Sequence, residues 1–575
     1  MHSILLILLT IPIAFILHQL FRLHRNLSQL AALPYPVPAV IVPASPISIL
    51  YQTFGDPLAH LLSLLPLALQ PACTVHIPRD SRFYDKSQTA QRLGPIWALV
   101  SPGSVHFQIY DPGAGLEVLE RRDVGKGNGG FERPSDNYEL LNVFGPNLST
   151  SDNANWPRHR KVLAAPFSEA VMDDVWRETL QHANALVKSW EGRAVTTVSK
   201  DLRTLSLNVL ATAGFKKEVE FRSAMDEDET ENQEGPMSYR DALQMVLDNI
   251  ILILVMGTDS LNRAFWSQRW QKVGAAAEAF KKHMSRMLDE EEAALAKGEK
   301  GGGGILTAFV RALTTNIKSN ASDVDRKVPR GLSRAEVFGN IFVINFAGHD
   351  TTANTLAFAA LLLTAYPEVQ DWLAEEVQYY TRNSAWQYAE LFPRLKRCRA
   401  VLRETLRLYT PVPGIPKRTT SQAQTVTLTT PGYEGRKVVL LPNSICNVGV
   451  LAVHTHPKIW GEDALVWRPG RWIPDGGSGV SDLDREVLLE PKKGTYAPWS
   501  DGPQNCPGLK FSEVEFVAVM TAIFGGGRRL EAVVMPGEDQ EDTRRRVLSV
   551  VNDVDMQMLL RMRHGDAVKV KLQSI

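Results

Sequence analysis

Cysteine is scarce in this chain. Four occur in 575 residues, Cys73, Cys398, Cys446 and Cys506, and no two make a CxxC pair. That excludes a zinc ribbon and a disulfide-framed secreted domain, and it suits a catalytic part facing a reducing compartment. A surplus of either charge is missing too. Lys+Arg and Asp+Glu both number 63, so the basic excess of a nucleic-acid binder is absent. No internal repeat is present. Charged residues at 22% and hydrophobic residues at 44% are ordinary for a globular protein and exclude a mostly disordered one.

Long apolar runs are rare, and the clearest opens the chain. Ile4 to Leu17 is interrupted only by Thr10 and Pro12, with Leu20 and Phe21 extending it. Ser3 to Phe21 is close to the roughly 20 residues that a spanning helix needs. No lysine or arginine precedes the run, while Arg22, His24 and Arg25 follow it. Residues 1–21 therefore read as a single-pass signal anchor with the large C-terminal part in the cytosol. A cleaved signal peptide is the competing reading, but it wants a positive segment ahead of the apolar core. The prolines of Leu33-Pro-Tyr-Pro-Val-Pro38, with Pro43 and Pro46, make residues 22–50 a proline-rich linker. Residues 51–575 read as one catalytic domain, mainly helical, with strand-like pieces at Thr425–Thr429 and Lys437–Leu441. Asp226–Pro236 and Gly298–Gly304 read as loops. The sequons at Asn26, Asn147 and Asn320 matter only in a lumenal protein, which this orientation argues against.

Some motifs are discounted. Gly125-Lys-Gly-Asn-Gly-Gly130 matches GxGxxG, but Phe131-Glu-Arg-Pro134 does not readily open the helix that must hold a pyrophosphate. His454-Thr-His456 looks like a zinc pair, although a structural role is preferred.

The chemistry gathers at five places. In Trp499-Ser-Asp-Gly-Pro-Gln-Asn-Cys-Pro-Gly508, glycines and prolines crowd one cysteine ahead of an apolar helical stretch from Leu509 to Phe524. Free backbone N–H groups and a helix N-terminus would favour a Cys506 thiolate. A cysteine in a tight turn is the bland alternative. Ser333 to Tyr366 reads as one long helix of about 50 Å with a capping box at Ser333-Arg-Ala-Glu336. Midway, Ala347-Gly-His-Asp-Thr-Thr352 weakens it, the glycine by about 1 kcal/mol, which suggests a functional opening. Glu404-Thr-Leu-Arg407 places two opposite charges on one helix face, by itself a commonplace surface pair. Pro469-Gly-Arg-Trp472 and Trp156-Pro-Arg-His-Arg160 complete the set.

In their order along the chain, over residues 156 to 508, the five resemble the motifs of the cytochrome P-450 superfamily. Gly502, Cys506 and Gly508 match its haem loop, F-x-x-G-x-R-x-C-x-G, with Trp499 in place of Phe and Gln504 in place of Arg. That resemblance implies the mainly α cytochrome P-450 fold with a smaller β region, preceded by one N-terminal transmembrane helix. It implies haem b, with Cys506 as the axial ligand to iron. Ala347 and Gly348 would leave space for dioxygen, and Asp350 and Thr351 would relay protons. Trp156 and Arg160 would contact haem propionates, with Arg418 a weaker candidate. Glu404, Arg407 and Arg471 would form a structural triad, and His349 would be structural. Residues 125–150, 240–265, 340–351 and 411–417 would wall the pocket, with Phe346, Val412 and Ile415 lining it. The function implied is insertion of one oxygen atom into a lipophilic substrate, in a eukaryotic, fungal type of secondary-metabolite enzyme. Electrons would come from NADPH through NADPH-cytochrome P-450 reductase, docked near Lys161, Lys492, Lys493 and Lys510 at the endoplasmic reticulum membrane. The alternatives are a haem-thiolate isomerase or dehydratase and a non-catalytic haem sensor; a peptidase using Cys506 lacks a histidine partner motif.

Overall fold

From Arg334 to Ala365 the chain has no proline, and its only acidic or basic groups besides His349 are Arg334, Glu336 and Asp350. Nothing breaks a helix there, and little directs one face to water. The computed structural model describes residues 2–574 apart from 47–48, 123–128, 135–137, 152–153, 230–236, 264–266, 300–303, 323–329, 475–482 and 557. In it, Arg334–Ala365 is a single helix, buried on all sides and central to the largest apolar cluster. The capping box forms: Ser333 Oγ accepts from the Glu336 amide, and Glu336 Oε2 accepts from the Ser333 amide at 2.7 Å. The expected weakness at Ala347–Thr352 does not break the helix. Thr351 and Thr352 return their hydroxyls to the carbonyls of Ala347 (2.8 Å) and Gly348 (3.3 Å), four residues back.

Against this helix pack those of Val198–Val209, Lys396–Leu408 and Leu509–Phe524. Beside the helical body lies a six-stranded sheet. Its strands are β1 (Ala39–Ile41), β2 (Ile96–Val100), β3 (Val105–Ile109), β4 (Phe131–Glu132), β5 (Ile415–Thr419) and β6 (Ile445–Val448), in the spatial order β1-β2-β3-β6-β5-β4. Gln424–Thr427 and Lys437–Leu440 pair as a two-stranded ribbon, close to the strand pieces expected. Phe131 opens strand β4, in agreement with discounting the glycine motif before it; residues 125–128 of that motif lie outside the described residues. Of the two expected loops, 230–236 and 300–303 also lie outside them.

The N-terminal reading needs correction. The first helix runs from His2 to Ala31, well beyond Phe21, and residues 22–50 are not a spacer. Leu23, Leu27 and Leu30 fall on one face and pack against Ile96, Ala98 and Val100 of β2. The Asn26 amide donates to the Ser101 carbonyl at 2.9 Å, tying the helix to the β2–β3 turn. Strand β1 then pairs in parallel with β2, Val40 opposite Leu99. The prolines did mark extended backbone, but an edge strand accepts such backbone as readily as a linker does. Asn26 and Asn147 both spend their amides inside the fold, so neither presents a glycan site; the Asn320 side chain lies outside the described residues. Among the described residues no helix is long and apolar enough to cross a membrane. The side chains of residues 1–10, half of the expected anchor, are not among them.

Where the central helix passes the Gly145–Pro146 loop, a Cβ on Gly339 would lie 2.1 Å from the Gly145 carbonyl oxygen. Alanine gains about 1 kcal/mol in an open helix, whereas overpacking against backbone costs about 1–3 kcal/mol. Gly339→Ala is therefore expected to lower the unfolding temperature; an unchanged or higher one would show that the loop yields freely.

Candidate active site

Cys506 is held by a loop that closes on itself. Its amide donates to the Trp499 carbonyl at 2.8 Å, around a tight turn, Gly502–Gln504, capped by the Asp501 carboxylate. Gly502 has φ +68°, and a Cβ there would meet the Leu119 carbonyl oxygen at 2.6 Å, so only glycine fits. Gly508 differs. Its φ is −87°, and a Cβ would make ordinary contact with Cys506 Sγ at 3.8 Å, so neither backbone nor packing in this loop requires glycine there. Trp499 packs under the loop and donates from Nε1 to Ser512 Oγ at 3.0 Å. The sulfur faces a cavity, which leaves Cys506 exposed though it lies within the fold. Burial pushes the thiol pKa up; the Gly508 amide and Arg160 pull it down without prevailing. Helix and amides alone thus do not hold a thiolate, contrary to expectation. Coordination to a metal cation would favour the thiolate instead.

The triad assembles, and its centre is not on the surface. Glu404 and Arg407 are both fully buried, joined by two hydrogen bonds of 2.8 and 2.9 Å. Arg471 Nε reaches Glu404 Oε1 at 2.9 Å, and Trp472 Nε1 reaches Oε2 at 3.0 Å. Arg407 also donates to the His454 carbonyl at 2.7 Å, while His454 Nε2 accepts from the Ala497 amide at 3.0 Å. His454 therefore couples the triad to the start of the cysteine loop. Burial and the Arg407 charge lower its pKa to about 3, so it stays neutral. His456 Nδ1 accepts from the Lys458 amide and caps a short turn. Both histidines are structural.

A cavity of about 310 Å³ opens above Cys506, within the size range of ligand clefts. Trp156, Arg160, Phe346, Ala347, Thr351, Val412, Ile415, Trp499 and Cys506 line it, as expected. Arg160 braces the cysteine loop, donating to the Asn505 carbonyl at 3.0 Å and to its side chain at 2.7 Å. Other expected residues go elsewhere. Gly348 turns away and packs on Leu210, where a Cβ would meet the leucine at 3.0 Å; close helix packing, not room for dioxygen, explains the glycine. Asp350 faces a second, polar cavity on the far side of the helix, where Arg203 Nε lies 2.8 Å from Oδ1. Arg203 also approaches Asp248, at 3.5 Å. His349 is buried there, with Nδ1 donating to the Asn345 carbonyl at 2.5 Å and Nε2 at 3.4 Å from Asp350. Leu247, Asp248, Asn249, Ile250 and Leu252, expected in the pocket wall, line this second cavity, which shares Phe346 and Leu559 with the first.

Arg418 is a correction. Neighbours on a strand point to opposite faces, and it is Lys417 that enters the cavity. Lys417 is almost fully buried and donates to Gln504 Oε1. Burial, Arg133 and Arg122 lower its pKa to about 7. Arg133 enters beside it, donating to the carbonyls of Leu148 (2.7 Å) and Ser149 (3.1 Å). Sequence reading missed both; the one available signal was the absent arginine at position 504.

Three cations, Arg133, Arg160 and Lys417, thus line the cavity, and among its described lining residues there is no aspartate or glutamate. Haem b would bring two propionate carboxylates to these basic side chains, and Cys506 Sγ would hold its iron. The residues present fit the group.

Comparison with known proteins agrees. The family model described as Cytochrome P450 matches residues 73–559. A cytochrome P450 monooxygenase of Arthrobotrys oligospora is 26% identical over 97% of this chain and 96% of its own. One from Postia placenta is 30% identical over 74% of this chain and 75% of its own. A phomenoic acid biosynthesis cluster cytochrome P450 monooxygenase of Leptosphaeria maculans is 26% identical over 94% of each chain. A crystallised cytochrome P450 superposes with a TM-score of 0.60 at 19% identity, covering 85% of this chain and 97% of that one.

Replacing Glu404 by glutamine keeps its size but turns an amide N–H toward donors. Breaking a buried pair this way costs about 3–5 kcal/mol. Chemical denaturation of Glu404→Gln should show a loss of that order; a loss below about 1 kcal/mol would mean that the triad is not under charge control.

Proposed function

The chain belongs to the cytochrome P450 family and is a haem-thiolate monooxygenase, and from that premise we propose that it inserts one oxygen atom of O2 into a lipophilic organic substrate, using electrons from NADPH. The observation that carries this reading is the cavity that gathers Cys506, Thr351 and three basic side chains, with no acidic residue among its described lining residues. When bound, haem b would supply the dioxygen chemistry, and Cys506 Sγ would hold its iron. Arg160, Trp156 and Arg133 hold its propionate edge. Phe346, Val412, Ile415 and Leu559 offer an apolar wall that orients the substrate and excludes water.

Proton supply divides between two faces of one helix. Asp350 Oδ1 exchanges protons with the polar cavity, where Arg203 holds the carboxylate. Thr351 Oγ1, which donates to the Ala347 carbonyl at 2.8 Å, presents its hydroxyl on the apolar side. Asp350 and Thr351 are adjacent residues, so the relay crosses the helix in one residue step.

The first helix anchors the protein to the endoplasmic reticulum membrane, with the catalytic body in the cytosol. Ile11, Ile13, Phe15, Ile16, Leu17, Leu20 and Phe21 support this, since each is more than half exposed. NADPH-cytochrome P-450 reductase docks on the cysteine-loop side. Lys161, Lys492 and Lys493 are exposed there, whereas the Lys510 ammonium lies 4.3 Å over the Phe392 ring. A role in secondary metabolism rests on the printed name of the Leptosphaeria relative.

Reduced protein under carbon monoxide should show the far red-shifted Soret band of thiolate-bound haem, and Cys506→Ala should abolish it. A variant that kept band and activity would overturn Cys506 as the ligand. Thr351→Ala should raise NADPH consumed per product formed, by about tenfold or more for one lost proton-transfer contribution of 10²–10⁴; unchanged coupling would remove Thr351 from the relay.

A further inference from the structure

One wall of the cavity above Cys506 has no regular structure behind it. Residues 142–151 form neither helix nor strand, yet Leu148 and Ser149 line the cavity. Such a segment takes its position from whatever bonds its backbone. Asn147, fully buried, shapes it from within: Oδ1 accepts from the amides of Ser149 (2.9 Å) and Thr150 (3.2 Å). That turn fixes the curve of the segment but not its place in the fold. Two side chains from other elements do that. Arg133, which lines the cavity, takes the carbonyls of Leu148 and Ser149, and Asn340, on the central helix, accepts from the Leu148 amide through Oδ1 at 2.9 Å. Leu148 is thus held by its N–H and by its C=O.

We propose that Asn340 is a positioning residue for substrate selection: by holding the Leu148 amide it sets how far Leu148 stands into the cavity, and so how bulky a lipophilic group fits there. The proposal rests on the haem-thiolate reading of that cavity. Asn340 does not line the cavity itself and is fully buried. Its amide has one possible orientation. The Glu336 carbonyl only accepts, so Nδ2 faces it at 2.6 Å, and the Leu148 N–H only donates, so Oδ1 faces that. The second Nδ2 hydrogen goes to Nδ1 of His159, itself fully buried, at 2.8 Å. Arg158, next to His159, is paired with Glu336 at 2.9 Å. Asn340 therefore cannot turn without breaking bonds to two helices. Apolar contact has no preferred direction, so Leu148 does not fix its own place; the hydrogen bond to its backbone supplies the direction. Arg133 is the weaker of the two holds, because a long side chain gives up more rotamer freedom when it is fixed.

Two measurements test this, and one of them does not depend on haem. In full-length protein, hydrogen exchange of the Leu148 amide is followed by mass spectrometry with fragmentation to single residues. Asn340→Ala should speed that amide by up to about tenfold, the scale of one net hydrogen bond, while amides of the Lys396–Leu408 helix keep their rates. In holoprotein, imidazole and the much bulkier clotrimazole are titrated by the shift of the Soret band. Asn340→Ala should move the ratio of their dissociation constants by at least about threefold in favour of clotrimazole, a part of that same bond, with imidazole within about twofold of wild type. A merely structural role would weaken both azoles alike or neither. Unchanged exchange at Leu148, or an unchanged ratio, would overturn the proposal. If Asn340→Ala does not accumulate as folded protein, the wild-type chain decides: a Leu148 amide at least about tenfold slower than an open-loop amide supports the hold, and one exchanging at the open rate overturns it. A wild-type chain with neither azole shift nor thiolate-haem band would overturn the haem-thiolate reading and the selection role with it, whereas a haem-loaded Asn340→Ala with wild-type discrimination overturns the role alone.

Discussion

One carboxylate organises the proximal half of this molecule. Glu404 has no access to water, and it receives hydrogen bonds from two atoms of Arg407, from Arg471, from Trp472 and from the Arg468 amide. A charge so placed is tolerated only because every lone pair is used. The cost fixes geometry: Arg407 has its remaining donors aimed at the carbonyls of His454, Ala464 and Val466, which draws in the segment after β6. His454 then accepts from Ala497, and the cysteine loop starts from there. The position of Cys506 is thus inherited, through four short links, from a group that does no chemistry.

The loop itself is built for a ligand rather than for its own stability. Burial keeps the Cys506 thiol protonated, and three cations face the same hollow with no acid among the described residues around it. Each of these features is unfavourable alone. Together they describe a mould of the opposite charge, into which a group with anionic substituents would fit. Arg160 shows the economy of the arrangement, since the same guanidinium braces Asn505 of the loop and faces the cavity.

How much of this was legible in the sequence follows from the range of the interactions involved. Motifs set by local chemistry were readable: the capping box at Ser333, the glycine at 502, the cysteine loop and the three members of the triad. What the sequence did not disclose were choices of face and register. Lys417 and Arg418 are both basic and adjacent, and the pleat of β5, fixed by pairing with β6 far along the chain, decides which one enters the cavity. Gly348 looked like space for a ligand because its neighbour Leu210 is 138 residues away. Residues 22–50 looked like a linker because proline reports extended backbone without reporting the partner strand. In each case local preference was right and the long-range partner supplied the meaning.

Phe346, Ala347 and Thr351 look into the apolar cavity, and Asp350 looks into the polar one. A helix turns about 100° per residue, so a single wall separates oil from water, with Phe346 and Leu559 bordering both sides. Changes of shape at Val412 or Ile415, which border the oily side alone, leave the carboxylate and its arginine untouched, and changes at Arg203 or Asp248 leave the substrate wall intact. The fold therefore offers two independent dials. A lineage can retune what it oxidises without rebuilding how it is supplied with protons, which is the kind of modularity that lets one architecture serve many chemistries.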